Sequence, residues 1–309
     1  MRTLVRLVVV AGLWLALAVG APGATRAGQA AAAGSAGLPV VTSNTVLADF
    51  VAQVGGAQVR VRPLVPRGID PHTFQPTPAA MTLLTQARVI FFNGAGLEEW
   101  WAKTLRSVKK PGIPVVELSR GLATLTLPGD GPGQAAAPDP HLWLDPVLAK
   151  TYVARIREAL ATVDPGNAAA YTARAAAYAG QLDALDAWIR SEVAQIPEAR
   201  RKLVTFHDAF QYFAQRYGLT VKGYVVASPG KEPSAKAMAD LARRIRVEQV
   251  PAVFAEADYN PKLLEVLGRE AGVTVVTDLY DDSLSAGPPA DSYLTLMRHD
   301  VTTIVTALQ

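Results

Sequence analysis

The sequence predicts an α/β protein of two similar lobes, each with a mostly parallel four-stranded sheet, joined by one long rigid helix. Three observations predict it. Short β-branched or apolar runs alternate with helix-like segments in the first half, the same alternation returns near the C-terminus, and one alanine-rich stretch of helical spacing lies between them. Strands separated by helix-length segments favour a parallel sheet covered by helices. At 309 residues the chain exceeds one typical domain and suits two.

The N-terminus reads as a signal peptide over residues 1–27. Arg2 and Arg6 supply the positive start, residues 7–19 the apolar stretch, and Thr25-Arg26-Ala27 a small-residue cleavage site. The apolar stretch is too short for a comfortable membrane span. Cleavage removes Arg2, Arg6 and Arg26, leaving 27 basic residues against 27 acidic ones. The mature chain is then near neutral, and no basic run or aromatic-basic interleaving points to nucleic acid. Residues 28–37, rich in Gly, Ala and Ser, read as a flexible segment.

The first lobe is expected over 38–165. Its strands are read at 39–42, 59–65, 88–93 and 113–118, and its helices at 45–54, 78–86 and 97–107. The stretch 126–140 is rich in Gly, Pro and Ala and reads as a loop. The linking helix is expected over 166–197. Tyr171, Tyr178, Leu182, Leu185 and Ile189 recur at helical steps, and Pro197 marks the end. A helix from about 166 to 195 would run roughly 45 Å. The second lobe, 198–309, offers strands at 202–206, 220–226, 252–255 and 273–278, and helices at 208–217, 233–246, 261–271 and 290–308.

Cysteine is absent, which excludes disulfides, zinc-thiolate sites and thiol catalysis. It also leaves no cysteine for a lipid anchor. The expected address is therefore the periplasm, as a secreted protein that is not a lipoprotein.

Three of the four histidines sit in loops beside proline or aspartate: Asp70-Pro71-His72, Asp139-Pro140-His141 and Phe206-His207-Asp208. They lie far apart in sequence, and each follows a strand candidate. Ligand sites of α/β sheets gather beyond the carboxyl ends of strands, and three imidazoles brought together there make a transition-metal site. A fourth ligand is expected from the last strand of the second lobe, where Asp278, Asp281 and Asp282 are all available. His299 reads as a surface residue of the last helix.

These residues also carry a resemblance. Gly68-Ile69-Asp70-Pro71-His72-Thr73-Phe74-Gln75-Pro76, Asp139-Pro140-His141-Leu142-Trp143-Leu144-Asp145-Pro146 and Thr205-Phe206-His207-Asp208-Ala209-Phe210 resemble, in order, three ligand loops of the metal-specific solute-binding proteins of zinc and manganese ABC importers, the ZnuA/TroA-like cluster A-I superfamily. Phe254-Ala255-Glu256 and Asp282-Ser283-Leu284-Ser285 are similar to two further segments, and the likeness runs from about residue 38 to the C-terminus. It implies two α/β lobes bridged by a long helix. It also implies the metal ligands His72, His141, His207 and Asp282, with Asp281 as the fallback. The implied cargo is Zn2+, with Mn2+ as the alternative. The implied partner is an ABC permease in the inner membrane, and the implied protein is a non-enzymatic monomer without a small organic substrate. Many zinc-specific members carry a histidine-rich loop before the second ligand, whereas residues 124–140 here contain no histidine.

Each ligating imidazole needs its other nitrogen satisfied. Glu256, Asp70, Asp145 and Asp208 are the nearby carboxylates, with Glu256 foremost. Three nitrogens and one carboxylate favour zinc over manganese. The rival readings are a zinc-dependent metallohydrolase, with Glu256 as its base, and a surface adhesin of the same fold.

Overall fold

A computed structural model of the chain describes residues 37–107, 112–127 and 135–309. The expected signal peptide, and all of the 28–37 segment but Gly37, lie outside the described residues. The first sheet is built from β1 (Leu38–Thr42), β2 (Val59–Pro63), β3 (Val89–Phe92) and β4 (Val115–Glu117). Helices α1 (Thr45–Gly55), α2 (Pro78–Gln86) and α3 (Trp101–Ser107) lie between or beside them. A two-residue pair, β5 (Thr126–Leu127) and β6 (Ala137–Pro138), follows, then α4 (Pro146–Val163) and α5 (Ala168–Val193). The second sheet comprises β7 (Lys202–His207), β8 (Thr220–Val226), β9 (Ala252–Glu256) and β10 (Thr274–Leu279). Helices α6 (Gln211–Tyr217), α7 (Ala235–Glu248), α8 (Lys262–Ala271) and α9 (Tyr293–Leu308) accompany it.

Both four-stranded sheets are parallel throughout. Their orders are β2-β1-β3-β4 and β10-β9-β7-β8. In each, the first strand of the lobe lies between its second and third, so the two lobes share one topology.

The period-2 alternation of a strand divides the apolar residues between two faces. On the inner face, Val40 of β1, Val89 and Phe91 of β3, Leu203 of β7, and Ala252 and Phe254 of β9 join a single core that runs on through α1, α4, α5 and α9. On the outer face, Val41 and Ile90 pack with Leu84, Trp100 and Trp101. Their counterparts in the second lobe, Val204, Val253 and Ala255, pack with Leu241, Ile245, Leu264 and Leu267. The lobes therefore have separate outer cores but one common inner core.

Helix α5 is the spine of that common core. It is 26 residues long, about 39 Å at 1.5 Å per residue. Tyr171, Ala175, Tyr178, Leu182, Leu185, Ile189 and Val193 form its buried stripe. At one end Arg174 donates to the carbonyls of Val54 and Gly55 (2.8 and 2.7 Å), closing the C-terminus of α1. At the other, Asp186 accepts the Tyr217 hydroxyl of α6 at 3.0 Å.

Two local expectations are corrected. The segment 146–163, read without a helix, forms α4. Asp145 caps it by accepting from Val147 N (2.8 Å), Pro146 takes the first turn, and Ala149, Tyr152, Val153, Ile156 and Leu160 make its buried face. The helix expected from 97 begins only at Trp101. The Glu98 carboxylate turns back to accept from Asn93 and Gly94 N–H (2.9 and 3.0 Å), holding 94–100 as a turn. Ala95 in that turn takes a φ of 50°.

Because the inner core is shared, the lobes are expected to unfold together. Leu185→Ala should destabilise the protein by about 2–5 kcal/mol. Chemical denaturation followed by tryptophan fluorescence and by circular dichroism should give one coincident transition, shifted to lower denaturant. Two separated transitions would contradict the shared core.

Candidate metal centre

Strand alternation aims the first ligand. Leu203, Thr205 and His207 lie on the inner face of β7, as do Ala252, Phe254 and Glu256 on β9. Thr205 pairs with Phe254, so His207 and Glu256 stand side by side at the carboxyl ends of adjacent strands. Glu256 Oε2 lies 2.8 Å from His207 Nδ1 and accepts His207 N–H at 3.2 Å, while Oε1 accepts Phe206 N–H at 3.0 Å.

His141 is gripped in the same manner from within its own loop. Asp139 Oδ1 accepts His141 N–H at 3.0 Å and lies 2.8 Å from Nδ1. Asn93, at the end of β3, donates to Pro140 O at 2.9 Å and accepts the Tyr152 hydroxyl at 2.6 Å. His72 sits in the loop after β2, where Asp70 Oδ1 accepts its N–H at 2.8 Å.

The three Nε2 atoms point at one another. His141 lies 3.3 Å from His72 and 3.2 Å from His207. Asp282 completes the group, with carboxylate oxygens 3.4 Å from His72 Nε2, 3.8 Å from His141 Nε2 and 3.6 Å from His207 Nε2. One donor atom from each of the four residues lies within 4.8 Å of all the others. A carboxylate only accepts, so the Nδ1 atoms facing Asp139 and Glu256 carry the protons. His141 and His207 then meet through their Nε2 atoms, where a proton held on His207 or a metal cation in its place bridges the two rings. A tetrahedral ion with Zn–N of ~2.0–2.1 Å would set nitrogens about 3.3–3.4 Å apart.

The electrostatics favour a cation as well. Burial pushes the Asp258 carboxyl up to about 7, helped by Asp282, Asp70 and Glu256. Burial also raises the Tyr259 hydroxyl, with Asp282 and Asp281 adding to the shift. That hydroxyl donates to Asp282 Oδ2 at 3.2 Å. Burial lowers His141. Burial acts downward on His207 too, but Glu256, Asp281 and Asp282 outweigh it and hold this imidazole well above its usual range. Burial would raise Asp282, yet His72 first, then His141 and His207, keep it well below the usual carboxylate range.

Access is one-sided. The His141, His207 and Asp282 side chains are 0–1% exposed, whereas that of His72 is 12% exposed. A cleft of about 360 Å³ opens onto His72 and His141, edged by Thr73, Glu99, Ser228 and Lys231.

Of the carboxylates expected behind the rings, only Glu256 contacts an imidazole nitrogen. Asp70 holds the His72 backbone. Asp145 caps α4 and pairs with Arg216 (2.6 Å), while Asp208 accepts from Gln211 at 2.7 Å. Asp281, the fallback ligand, faces the Nδ1 side of His207 at 3.4 Å. Its carbonyl accepts Trp143 Nε1–H at 2.9 Å. His299 lies 2.8 Å from Asp278 O, outside the site. Sequence reasoning missed Asp139 and Tyr259. The Asp-Pro-His spacing, which places an acceptor two residues before the ring, was the available signal for Asp139.

A family model described as zinc-uptake complex component A, periplasmic (ZnuA), matches residues 40–307. The chain belongs to this family. Manganese-binding lipoprotein MntA of Halalkalibacterium halodurans is 32% identical over 273 residues, 88% of this chain and 89% of that one. Zinc-binding protein TroA of Treponema pallidum is 34% identical over 278 residues, 87% and 88% of the two chains. The solved structure of TroA superposes with a TM-score of 0.79 at 33% identity, covering 88% of this chain and 99% of its own. Iron-binding protein YfeA of Yersinia pestis is 32% identical, over 86% of this chain and 84% of its own. The protein is thus a metal-binding substrate-binding component of an ABC transporter with the TroA-like fold. Its homologues are solute-binding proteins, and family members work with ABC permeases.

These relatives overturn one expectation. MntA is named a lipoprotein, as are further relatives from Streptococcus. That counts against the reading of an exported protein without a lipid anchor, which had rested on the missing cysteine. A binding role outside the cytoplasmic membrane is otherwise consistent with them.

Asp139→Asn should weaken metal affinity about 10–100-fold, because the amide no longer fixes the His141 tautomer. Asp145→Asn, which loses only the Arg216 pair and a neutralised cap, should leave affinity within twofold. Competition titration against a chelator, with circular dichroism as the folding control, reads both.

Proposed function

We propose that the protein captures a single zinc ion at His72, His141, His207 and Asp282 and delivers it, as a monomer, to a membrane permease of the ABC type. The observation that carries this reading is the convergence of three Nε2 atoms and one carboxylate, with two of the rings locked from behind by buried carboxylates. Zinc is favoured over manganese because three nitrogens and one oxygen at tetrahedral spacing suit zinc, whereas manganese prefers more oxygen and a higher coordination number. Relatives named for zinc, manganese and iron make the choice of metal a property of the individual protein, so direct competition must decide it.

A hydrolytic role finds little support in this arrangement. A catalytic zinc keeps a position open for water beside a general base. Here four side chains surround the ion's position, and both oxygens of Glu256 are committed to Phe206 and His207.

His207→Ala should weaken zinc binding by orders of magnitude, with the fold retained. Unchanged affinity would remove the site assignment. Proton competition gives a second outcome. In the metal-free protein the carboxylates hold the His207 pKa above its unfolded value. Protonated His207 therefore stabilises the fold fully below pH 6.5, and that contribution is lost as pH rises through the folded pKa. Zinc requires the neutral ring. The rise in melting temperature caused by saturating zinc should therefore be larger at pH 8 than at pH 6, and binding at pH 7 should release about one proton. A zinc-induced rise independent of pH would contradict a histidine-dominated site.

A further inference from the structure

We propose that Ser283 is a positioning residue that clasps the two ligand loops together and so sets how long the metal is retained. The inference rests on the metal reading of the site given above. Asp282 and His72 belong to opposite lobes, and their loops are joined beside the centre by hydroxyl groups. Gly68 N–H, four residues before His72, donates to Ser283 Oγ at 2.9 Å. Leu284 N–H donates to Thr45 Oγ1 at 2.8 Å, and the Thr45 hydroxyl lies 3.4 Å from Ser283 Oγ. Ser283 in turn donates to Leu284 O at 3.3 Å. Ser283 is 2% exposed and Thr45 3%.

Thr45 is the first residue of α1 and is fixed to the first lobe through the shared core. Gly68 turns the His72 loop with a φ of 69°. Ser283 immediately follows Asp282, so the Asp282 loop is tied at adjacent residues to two different parts of the opposite lobe. Release of the ion requires the Asp282 carboxylate to part from the imidazoles. A movement of the Asp282 loop away from the His72 loop breaks the part-buried Gly68–Ser283 bond. Capture runs through the same states in reverse: the ion first meets the exposed side of His72, and the clasp forms as Asp282 closes on it. With first contact limiting association, the clasp stabilises the loaded, closed state and acts on dissociation.

The test is stopped-flow release of zinc to an excess of chelator, with association measured separately, on wild type, Ser283→Ala, Ser283→Thr, Thr45→Val and His207→Ala. Ser283→Ala should speed release several-fold to about tenfold, the size of one hydrogen bond, and change the association rate by less than twofold. Thr45→Val should shift release in the same direction, and Ser283→Thr should restore slow release. A merely structural serine would lower the melting temperature without separating the two rates. Release from Ser283→Ala and Thr45→Val within twofold of wild type would overturn the clasp. If wild type holds zinc and His207→Ala does not, that failure leaves the metal reading intact. If wild type binds no better than His207→Ala, the metal reading itself fails.

Discussion

The hydrogen bonds that Asp139 accepts from His141 and Glu256 from His207 decide which nitrogen of each ring carries its proton, and the rest of the centre depends on that decision. With both Nδ1 protons bound outward, the two Nε2 atoms are held inward 3.2 Å apart, where a proton on His207 or a metal cation must lie between them. Two unrestrained rings in water would turn away from so close an approach. Here the rings cannot turn, because the same carboxylate oxygens also accept the backbone N–H groups of their own histidines. One carboxylate thus fixes both the position of the ring and the placing of its Nδ1 proton in His141 and again in His207. The buried carboxylates around these rings make the centre receptive to a cation rather than to a neutral solute.

That arrangement holds only if the loops bearing it are held rigidly, and the shared inner core supplies the rigidity. The inner faces of both sheets pack on α1, α4, α5 and α9 as one continuous cluster. Polar bonds across the lobes sit on top of it: Trp143 to Asp281 O, Tyr293 to Trp143 O, Tyr212 to Asp139 O and Arg216 to Asp145. A protein fastened in this way is poorly suited to a wide hinge closure. It is better suited to small loop movements around His72 and Asp282, where exposure and interlobe hydroxyl contacts coincide.

The strands were legible because a parallel sheet buried on both faces is a near-continuous apolar run. β8 coincides with the run read at 220–226, and β1, β7 and β9 lie within a residue or two of theirs. The three histidines were legible because each stands beside proline or aspartate in a segment that follows a strand, although only His207 ends one of the four-stranded sheets' strands. Asp282 was not separable from Asp278 and Asp281 by residue type. The family resemblance selected it, and the register shift between Val276 and Leu279, with Asp278 at a φ of 72°, is invisible in a string of letters. α4 was missed although its cap, its proline and its buried stripe are all present in the sequence. Tyr259 could not have been found from spacing. It reaches Asp282 through tertiary packing against Phe206 and His207.

The most direct measurement is X-ray absorption at the zinc edge of the protein loaded with one equivalent of zinc. The account predicts three imidazole nitrogens at ~2.0–2.1 Å and carboxylate oxygen at ~2.0–2.2 Å, with no further scatterer at bonding distance. The imidazole count should fall by one in His207→Ala. Fewer than three imidazoles in wild type, or an ordered water as the fourth ligand in place of Asp282, would contradict it.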